Sequence, residues 1–222
     1  MKKKIVALLP MKANSERVPG KNFKDLNGKP LFRWVLDTLL SVDIIDSVII
    51  NTDARDILST YGLESSERVL IRDRRQEICG DDVSMNKVIG DDIAAIDSDI
   101  YLMTHTTNPM LSRSTIVDAL SKFSESLSTG EHDSLFSVDK IQTRFYKKDG
   151  TPINHNPDKL IKTQDLEPWF EENSNLYLFT KESFESTQAR IGKKPFLFET
   201  PKGESVDIDT PDDWEIARKL QK

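Results

Sequence analysis

The sequence has 222 residues, of which 37% are hydrophobic and 31% are charged, and its formal net charge is −6. A chain of this length can bury one substantial core, so we expect a single domain spanning residues 1–222. The acidic balance argues against a protein that coats nucleic acid or lies on a membrane surface, and we expect neither as a partner. Any anion that the chain binds must therefore be held by a local basic cluster.

Cysteine and histidine usage limits the chemistry further. The single cysteine, Cys79, excludes an intrachain disulfide, and we expect a partly buried thiol there rather than a nucleophile. The three histidines lie too far apart in sequence to suggest metal-ligand spacing. No apolar run approaches the roughly 18 residues of a membrane span, and the run 5–9 is too short for a signal peptide. These features predict a cytoplasmic protein.

The first two thirds of the chain alternate short apolar runs with stretches of helical periodicity. The apolar runs predict strands at 5–9, 47–53, 69–71, 100–103 and 134–138. The periodic stretches predict helices at 31–40, 54–61, 85–96 and 116–123, the first opened by Pro30 and the last capped by Ser114. This order predicts an α/β fold: a three-layer αβα, Rossmann-like nucleotide-binding domain with a mostly parallel sheet.

The pattern changes between residues 140 and 172. Asp149-Gly150 is a turn signal, and it predicts a hairpin arm inserted in the domain, with one side at 142–148 and the other starting at Thr151. The regular pattern then resumes, with strands predicted at 174–179, 196–199 and 205–209. Helices are predicted at 183–191 and 211–220, the second capped by Thr210.

The loop that follows the first strand is the main candidate for function. It reads L-P-M-K-A-N-S-E-R-V-P-G-K-N from Leu9 to Asn22. Polar loops at the carboxyl ends of strands are where α/β proteins bind ligands. Lys12, Arg17 and Lys21 could surround a polyphosphate together with loop amides, although an exposed loop with chance lysines is the alternative. Neither a P-loop nor a G-x-G-x-x-G fingerprint occurs.

An acidic pair, Asp207 and Asp209, is the second candidate. Alternation along a strand would place both carboxylates on one face, and two such oxygen donors suit Mg²⁺ that also binds phosphate oxygens. A solvated strand end beside a helix N-terminus explains the same residues, and the pattern alone leaves both interpretations open. A basic loop combined with a metal-binding carboxylate pair is typical of phosphoryl or nucleotidyl transfer.

Seven segments of the chain resemble, in order, motifs of the acylneuraminate cytidylyltransferase family. Leu9–Asn22 resembles its first signature, I-P-A-R-x-x-S-K-x-x-P-x-K-N, without a gap. The other six resemble N-G-x-P-L, S-T-D, R-P-x-x-L-x-x-D-x-x-S, P-T-S-P, E-N-G-A-x-Y and V-D-I-D-T, and they lie at 27–31, 51–53, 74–84, 106–109, 172–177 and 206–210. The chain is therefore identified as a divergent member of that family.

This resemblance implies transfer of CMP from CTP to the anomeric hydroxyl of a sialic-acid-like 3-deoxy-2-ulosonic (nonulosonic) acid, with release of pyrophosphate. It implies catalytic roles for Lys12, Lys21 and Asp209, and a magnesium ion held by Asp207 and Asp209. The residues it implies for the nucleotide are Leu9, Pro10, Met11, Lys12, Asn14, Ser15, Arg17, Lys21, Asn22, Arg74 and Ser84, with Asn22 reading the base. Those it implies for the sugar are His105, Thr106 and Asn173.

Some positions depart from the family pattern. Lys12 replaces an arginine and so loses the bidentate fork, while Glu16 replaces a lysine and has Arg17 beside it. His105 stands where many members have glutamine; it would act as a neutral hydrogen-bonding group or as a general base. Ser174-Asn175 replaces Gly-Ala. An enzyme for another sugar acid or nucleotide, and a nucleotide-binding homologue without turnover, therefore remain alternatives.

The resemblance also implies a homodimer in which residues 140–172 form the contact between subunits. The aromatic side chains Phe145, Tyr146, Trp169 and Phe170 would anchor that contact, because aromatic residues dominate interface energetics. The alternative is a hairpin that folds back on its own subunit.

Overall fold

The computed structural model describes residues 3–221. A seven-stranded sheet in the order β5-β4-β1-β6-β8-β7-β9 forms its centre. These strands are β1 (Ile5–Leu8), β4 (Ser47–Thr52), β5 (Val69–Asp73), β6 (Ile100–Met103), β7 (Ser134–Ile141), β8 (Trp169–Phe179) and β9 (Pro195–Glu199). A separate ribbon pairs β2 (Asp25–Leu26) with β3 (Lys29–Pro30). The helices are α1 (Leu31–Leu40), α2 (Arg55–Thr60), α3 (Met85–Ala95), α4 (Arg113–Thr129), α5 (Lys181–Thr187) and α6 (Pro211–Leu220).

The sheet is mostly parallel, which confirms the predicted fold class. Strands β5, β4, β1 and β6 run parallel, and β8 alone runs antiparallel to its neighbours β6 and β7 within the described sheet. Strand β9 pairs with β7 in parallel. None of the helices within residues 3–221 is long and apolar enough to cross a membrane.

The three layers follow from the alternation of side chains along β1. Ile5 and Ala7 belong to a core shared with α1 and α4, whereas Val6 and Leu8 belong to a second core shared with α3 and α5. Because successive side chains of a strand point to opposite faces, a strand buried in both cores must be apolar throughout. This explains the unbroken apolar run in the sequence.

A third, smaller apolar cluster places the candidate loop. Val18 from the loop packs with Leu26, Leu31, Ile208 and Trp214. The cluster brings residues 9–22 against the segment that precedes α6, although nearly two hundred residues separate them in sequence. Thr210 caps α6 as predicted and forms a capping box with Asp213, which fixes where that segment ends.

Several predicted boundaries were wrong. The segment 205–209 is not a strand, because it pairs with no strand of the described sheet. Its Ile208 amide donates instead to the Thr107 carbonyl, in the loop after β6, at 2.9 Å. Ser112, not Ser114, caps α4 by accepting from the Thr115 amide. Helix α5 ends at Thr187 because Gln188 takes a left-handed conformation with φ of 55°.

The arm is also built differently from the prediction. Its antiparallel ladder joins the ends of β7 and β8, with Lys140 opposite Phe170 and Ile141 opposite Trp169. The turn at Asp149-Gly150 exists, but the described residues around it form only one isolated bridge, between Tyr146 and Pro152. The sequence pattern at 142–168 lacks the long alternating runs that a stable two-stranded ribbon needs.

Candidate functional site

A cavity of about 390 Å³ opens at the end of β1, where the candidate loop meets the segments after β5 and β6. Ten of the residues predicted to bind substrate line it: Pro10, Met11, Lys12, Ser15, Arg17, Lys21, Asn22, Arg74, His105 and Thr106. The cavity therefore lies at the carboxyl edge of the parallel strands, as expected for ligand sites in α/β sheets.

The loop is held in place by backbone and amide hydrogen bonds. Its first residues continue beside β4, since the amides of Leu9 and Met11 donate to the carbonyls of Ile49 and Asn51 at 2.8 and 3.1 Å. At the other end, Asn22 Nδ2 donates to the Lys12 carbonyl at 2.8 Å, and Asn22 Oδ1 accepts from Thr106 Oγ1 at 2.6 Å. Both ends of the Asn22 amide thus close the loop, which differs from the base-reading role that the resemblance implies.

Lys21 and Arg17 share one carboxylate. Lys21 is only 8% exposed, and its ammonium group donates to the Ile208 carbonyl at 2.6 Å and to Asp209 Oδ1 at 3.2 Å. The exposed Arg17 reaches the other oxygen, Asp209 Oδ2, at 3.1 Å. Three charges from two distant parts of the chain therefore meet at the cavity wall, where they leave a net positive charge for an anion.

Lys12 makes an ion pair across the cavity with Asp81, from the loop that precedes α3. The Lys12 ammonium holds the pKa of the Asp81 carboxyl below its usual value. Because both side chains are substantially exposed, the contact contributes little to stability and a bound phosphate could replace it.

Asp207 supplies a carboxylate oxygen near this edge that is not engaged within the described residues. Its Oδ1 is buried and has no hydrogen-bond partner among them, and burial raises the pKa of this carboxyl. No cluster of three or more metal-type side chains occurs in residues 3–221, so a metal ion here would need oxygen atoms from phosphates or water. An unpartnered buried carboxylate oxygen next to Asp209 fits that arrangement.

A network of side chains around Arg190, from the loop between α5 and β9, adjoins the cavity through His105. Its guanidinium lies 3.8 Å from the ring centroid of Tyr177, donates to Nε2 of His105 at 3.3 Å and contacts Glu172 Oε1 at 3.3 Å. Tyr177 donates its hydroxyl proton to the same Glu172 carboxylate. Sequence patterns did not indicate Arg190, since no motif surrounds it.

Burial, together with the positive charges of Arg190 and Lys21, lowers the pKa of His105 to about 3. The imidazole is therefore neutral at physiological pH. Since Nε2 accepts from Arg190, the ring proton must be on Nδ1. A group with so low a pKa is a weak proton acceptor, and the geometry favours the neutral hydrogen-bonding role over the general base.

Four of the residues predicted to bind the nucleotide or the sugar lie away from the cavity lining. Leu9 is buried in the apolar core, and Asn14 is exposed on the loop. Ser84 caps α3 by accepting from the Asn86 amide, and Asn173 donates to Thr200 Oγ1 at 2.6 Å. For Ser84 and Asn173, a hydrogen bond within the protein therefore engages the group that the sequence motif suggested for a ligand.

The chain is similar over nearly its whole length to proteins of known activity. A family model described as cytidylyltransferase matches residues 6–222. A pseudaminic acid cytidylyltransferase of Campylobacter jejuni is 24% identical over 226 residues, covering 99% of this chain and 97% of that protein. The CMP-N,N'-diacetyllegionaminic acid synthase of Legionella pneumophila is 27% identical, covering 99% of this chain and 97% of that protein.

Solved structures show the same fold. The structure of a CMP:2-keto-3-deoxy-manno-octonic acid synthetase complexed with CTP superposes with a TM-score of 0.66 at 16% identity and covers 98% of each chain. A 4-diphosphocytidyl-2C-methyl-D-erythritol synthase superposes with a TM-score of 0.67 at 13% identity and covers all of both chains.

Proposed function

The chain belongs to the cytidylyltransferase family, and from this premise we propose that it transfers CMP from CTP to a sialic-acid-like nonulosonic acid and releases pyrophosphate. The observation that carries the proposal is the cavity at the end of β1, where Lys12, Arg17, Lys21 and Arg74 supply positive charge from a fixed loop and its neighbour. Relatives named for pseudaminic and legionaminic acids support an acceptor of this class.

In this reaction the acceptor hydroxyl attacks the α-phosphorus, and the bond between the α- and β-phosphates breaks. Lys21 and Lys12 neutralise the negative charge that develops on the phosphate oxygens, and Ser15 adds a hydrogen-bond donor. The Lys12–Asp81 contact opens when the nucleotide takes the place of the Asp81 carboxylate. His105, neutral and carrying its proton on Nδ1, orients the acceptor together with Thr106.

We propose that Asp207 and Asp209 hold a magnesium ion together with phosphate oxygens of the nucleotide. The ion would polarise the reacting phosphate and lower the pKa of the attacking hydroxyl. The unpartnered Oδ1 of Asp207 supports this assignment. Asp207→Asn should therefore raise the magnesium concentration needed for half-maximal activity, and unchanged magnesium dependence would argue against the site.

Pyrophosphate release is the direct test. CTP should be offered with N-acetylneuraminic, pseudaminic and legionaminic acids and with 3-deoxy-manno-octulosonate, and each acid should also be offered with ATP, GTP and UTP. Release with CTP and a nine-carbon acid is the expected result. Release with another nucleotide or only with the eight-carbon acid would redirect the assignment, whereas CTP binding without release would indicate a protein that binds but does not turn over.

We also propose that the 140–172 arm pairs two copies of the chain. Tyr146, Trp169 and Phe170 are 53%, 39% and 42% exposed, and Phe145 stacks on Trp169 at 4.8 Å between ring centroids. Such a group of exposed aromatic side chains favours a contact surface. Sedimentation should show a dimer that Tyr146→Ser combined with Phe170→Ser dissociates, while Ile216→Ser, at a 48% exposed position of α6, leaves it intact. A monomeric, fully active wild type would overturn this proposal.

A further inference from the structure

A fully buried asparagine, Asn51, connects Arg74 in the cavity wall to helix α3. Asn51 lies at the carboxyl end of β4 and is 0% exposed. Its Nδ2 donates to Asp92 Oδ1 of α3 at 2.8 Å, and its Oδ1 accepts from Nε of Arg74 at 3.0 Å. The amide therefore bridges a buried carboxylate and a guanidinium that lines the cavity.

The orientation of this amide is set by its neighbours. An ionised carboxylate only accepts hydrogen bonds, and Arg Nε only donates them. The amino group of Asn51 must then face Asp92, and its carbonyl oxygen must face Arg74. Asp92 is 1% exposed, and the Oδ1 atom that accepts from Asn51 also pairs with the Arg72 guanidinium, so the carboxylate cannot turn away easily.

Arg74 is fixed along one edge by these contacts. Besides the Nε bond to the Asn51 side chain, its Nη2 donates to two backbone carbonyl oxygens: that of Asn51 at 2.8 Å and that of Met11, in the candidate loop, at 3.2 Å. Three of the five guanidinium donors are thus committed to protein. Nη1 makes no hydrogen bond to any residue between 3 and 221, which leaves two donors for a ligand in the cavity.

We infer that Asn51, oriented by Asp92, is the positioning residue that presents the free Nη1 edge of Arg74 to an anionic group of the nucleotide. Asn51 does not touch the ligand; it acts through Arg74, which it holds against both the sheet and the loop. This inference rests on the proposed function for the identity of the ligand, but the arrangement of the three side chains stands independently of it.

A double-mutant cycle on CTP affinity tests the inference. The dissociation constant of CTP is measured without acceptor for wild type, Asn51→Ser, Arg74→Met and the double variant. Loss of a hydrogen bond to a charged group should raise the constant for Asn51→Ser by roughly tenfold or more. In the Arg74→Met background the same change should have no further effect. Equal losses in both backgrounds would overturn the inference, since Asn51 would then act independently of Arg74.

Asn175→Ser is the matched control. Asn175 is also fully buried, but its Nδ2 donates to the Glu204 carbonyl at 2.9 Å, away from the cavity. Its substitution should leave CTP affinity within about twofold, because it removes one neutral hydrogen bond outside the site. A loss as large as that of Asn51→Ser would mean that general destabilisation explains both, and would count against a positioning role.

A second measurement needs no nucleotide. The Nε proton of Arg74 should give a slowly exchanging NMR signal in wild type that disappears in Asn51→Ser. If wild type binds no CTP, the proposed function fails while this signal still decides the positioning role. If Asn51→Ser does not fold, Asp92→Asn replaces it: an amide at 92 can donate or accept, so Asn51 loses its fixed orientation and the Arg74 signal should exchange faster. An unchanged signal in the folded variant would overturn the inference.

Discussion

The two sides of the cavity are built on different principles. The side that we propose for the nucleotide consists of one continuous loop after β1, held at both ends by backbone and amide hydrogen bonds, with Arg74 beside it. The side that we propose for the acceptor consists of side chains from three separate segments, joined through Arg190. The first side depends on one continuous stretch of sequence, whereas the second depends on contacts between residues that lie far apart in the sequence. The acceptor side is therefore the one that can change specificity without disturbing the loop.

The largest expected effect falls on the nucleotide side. Lys21→Met should reduce turnover by about a hundredfold or more, because it removes a buried charge that we propose faces the developing phosphate charge. Arg17 still neutralises Asp209 in this variant, so the fold should persist and thermal unfolding should confirm that. Lys24→Met is the control, since Lys24 is exposed and its ammonium lies over the Trp214 ring outside the cavity. Equal losses for both variants would show that Lys21 has no special role.

Arg190→Met should affect the acceptor side alone. Without the guanidinium, Glu172 and Tyr177 lose a partner and His105 loses the donor that fixes its ring proton. We expect the KM for the acceptor to rise by roughly tenfold while the dissociation constant of CTP stays unchanged. Arg113→Met, at an exposed arginine of α4, should change neither quantity. If CTP binding weakened as much as acceptor binding, the two sides would not be separable in the way the geometry indicates.

The protonation of His105 tests the same side through pH. With its pKa lowered to about 3, the imidazole should remain neutral from pH 8 to pH 5, and its ring signals in NMR should not shift over that range. Between about pH 6.5 and pH 3, the His105 ring binds a proton in the unfolded state but not in the folded state. The free energy of unfolding should therefore decrease as the pH falls through this range. In Arg190→Met the pKa of His105 should rise, because a neighbouring positive charge is gone. A wild-type signal that titrates near pH 6.5 would contradict the assignment.

The sequence predicted one side of the site much better than the other, for a physical reason. The loop 9–22 lies directly after an apolar strand, so position along the chain already indicates position in the fold. Arg190 and Asn51 gain their roles only through contacts with residues far away in sequence, and no local pattern indicates such contacts. Asp81 could have been found, because it occupies the acidic position of the segment 74–84 that resembles a family motif.

The fold shows the same division between local and distant determinants. Apolar periodicity predicted the parallel strands and most helices, since burial on one or two faces dictates those patterns. It failed at 205–209, where apolar and acidic residues alternate as in a strand but no neighbouring strand is available for pairing. It also missed the start of β8 at Trp169, because the ladder there depends on its partner β7 rather than on its own pattern.

The smallest expected effect is at Ser174, where the acceptor side meets the sheet. The pairing of β7 with β8 is irregular between Phe136 and Val138, and opposite this irregularity Ser174 has φ of 58°, a left-handed conformation that favours glycine. The family motif that this segment resembles has glycine here. Ser174→Gly should raise the free energy of unfolding by about 0.5 kcal/mol, since relief of backbone strain exceeds the added entropy of the unfolded chain. Urea unfolding measures the change, and Ser205→Gly, at a position without a positive φ, should destabilise instead. If Ser174→Gly destabilised the protein, the 3.3 Å contact between the Ser174 and Tyr177 hydroxyls would contribute more than the backbone strain costs. The conformation of the bulge would then depend on the side chains around Arg190 rather than on the backbone.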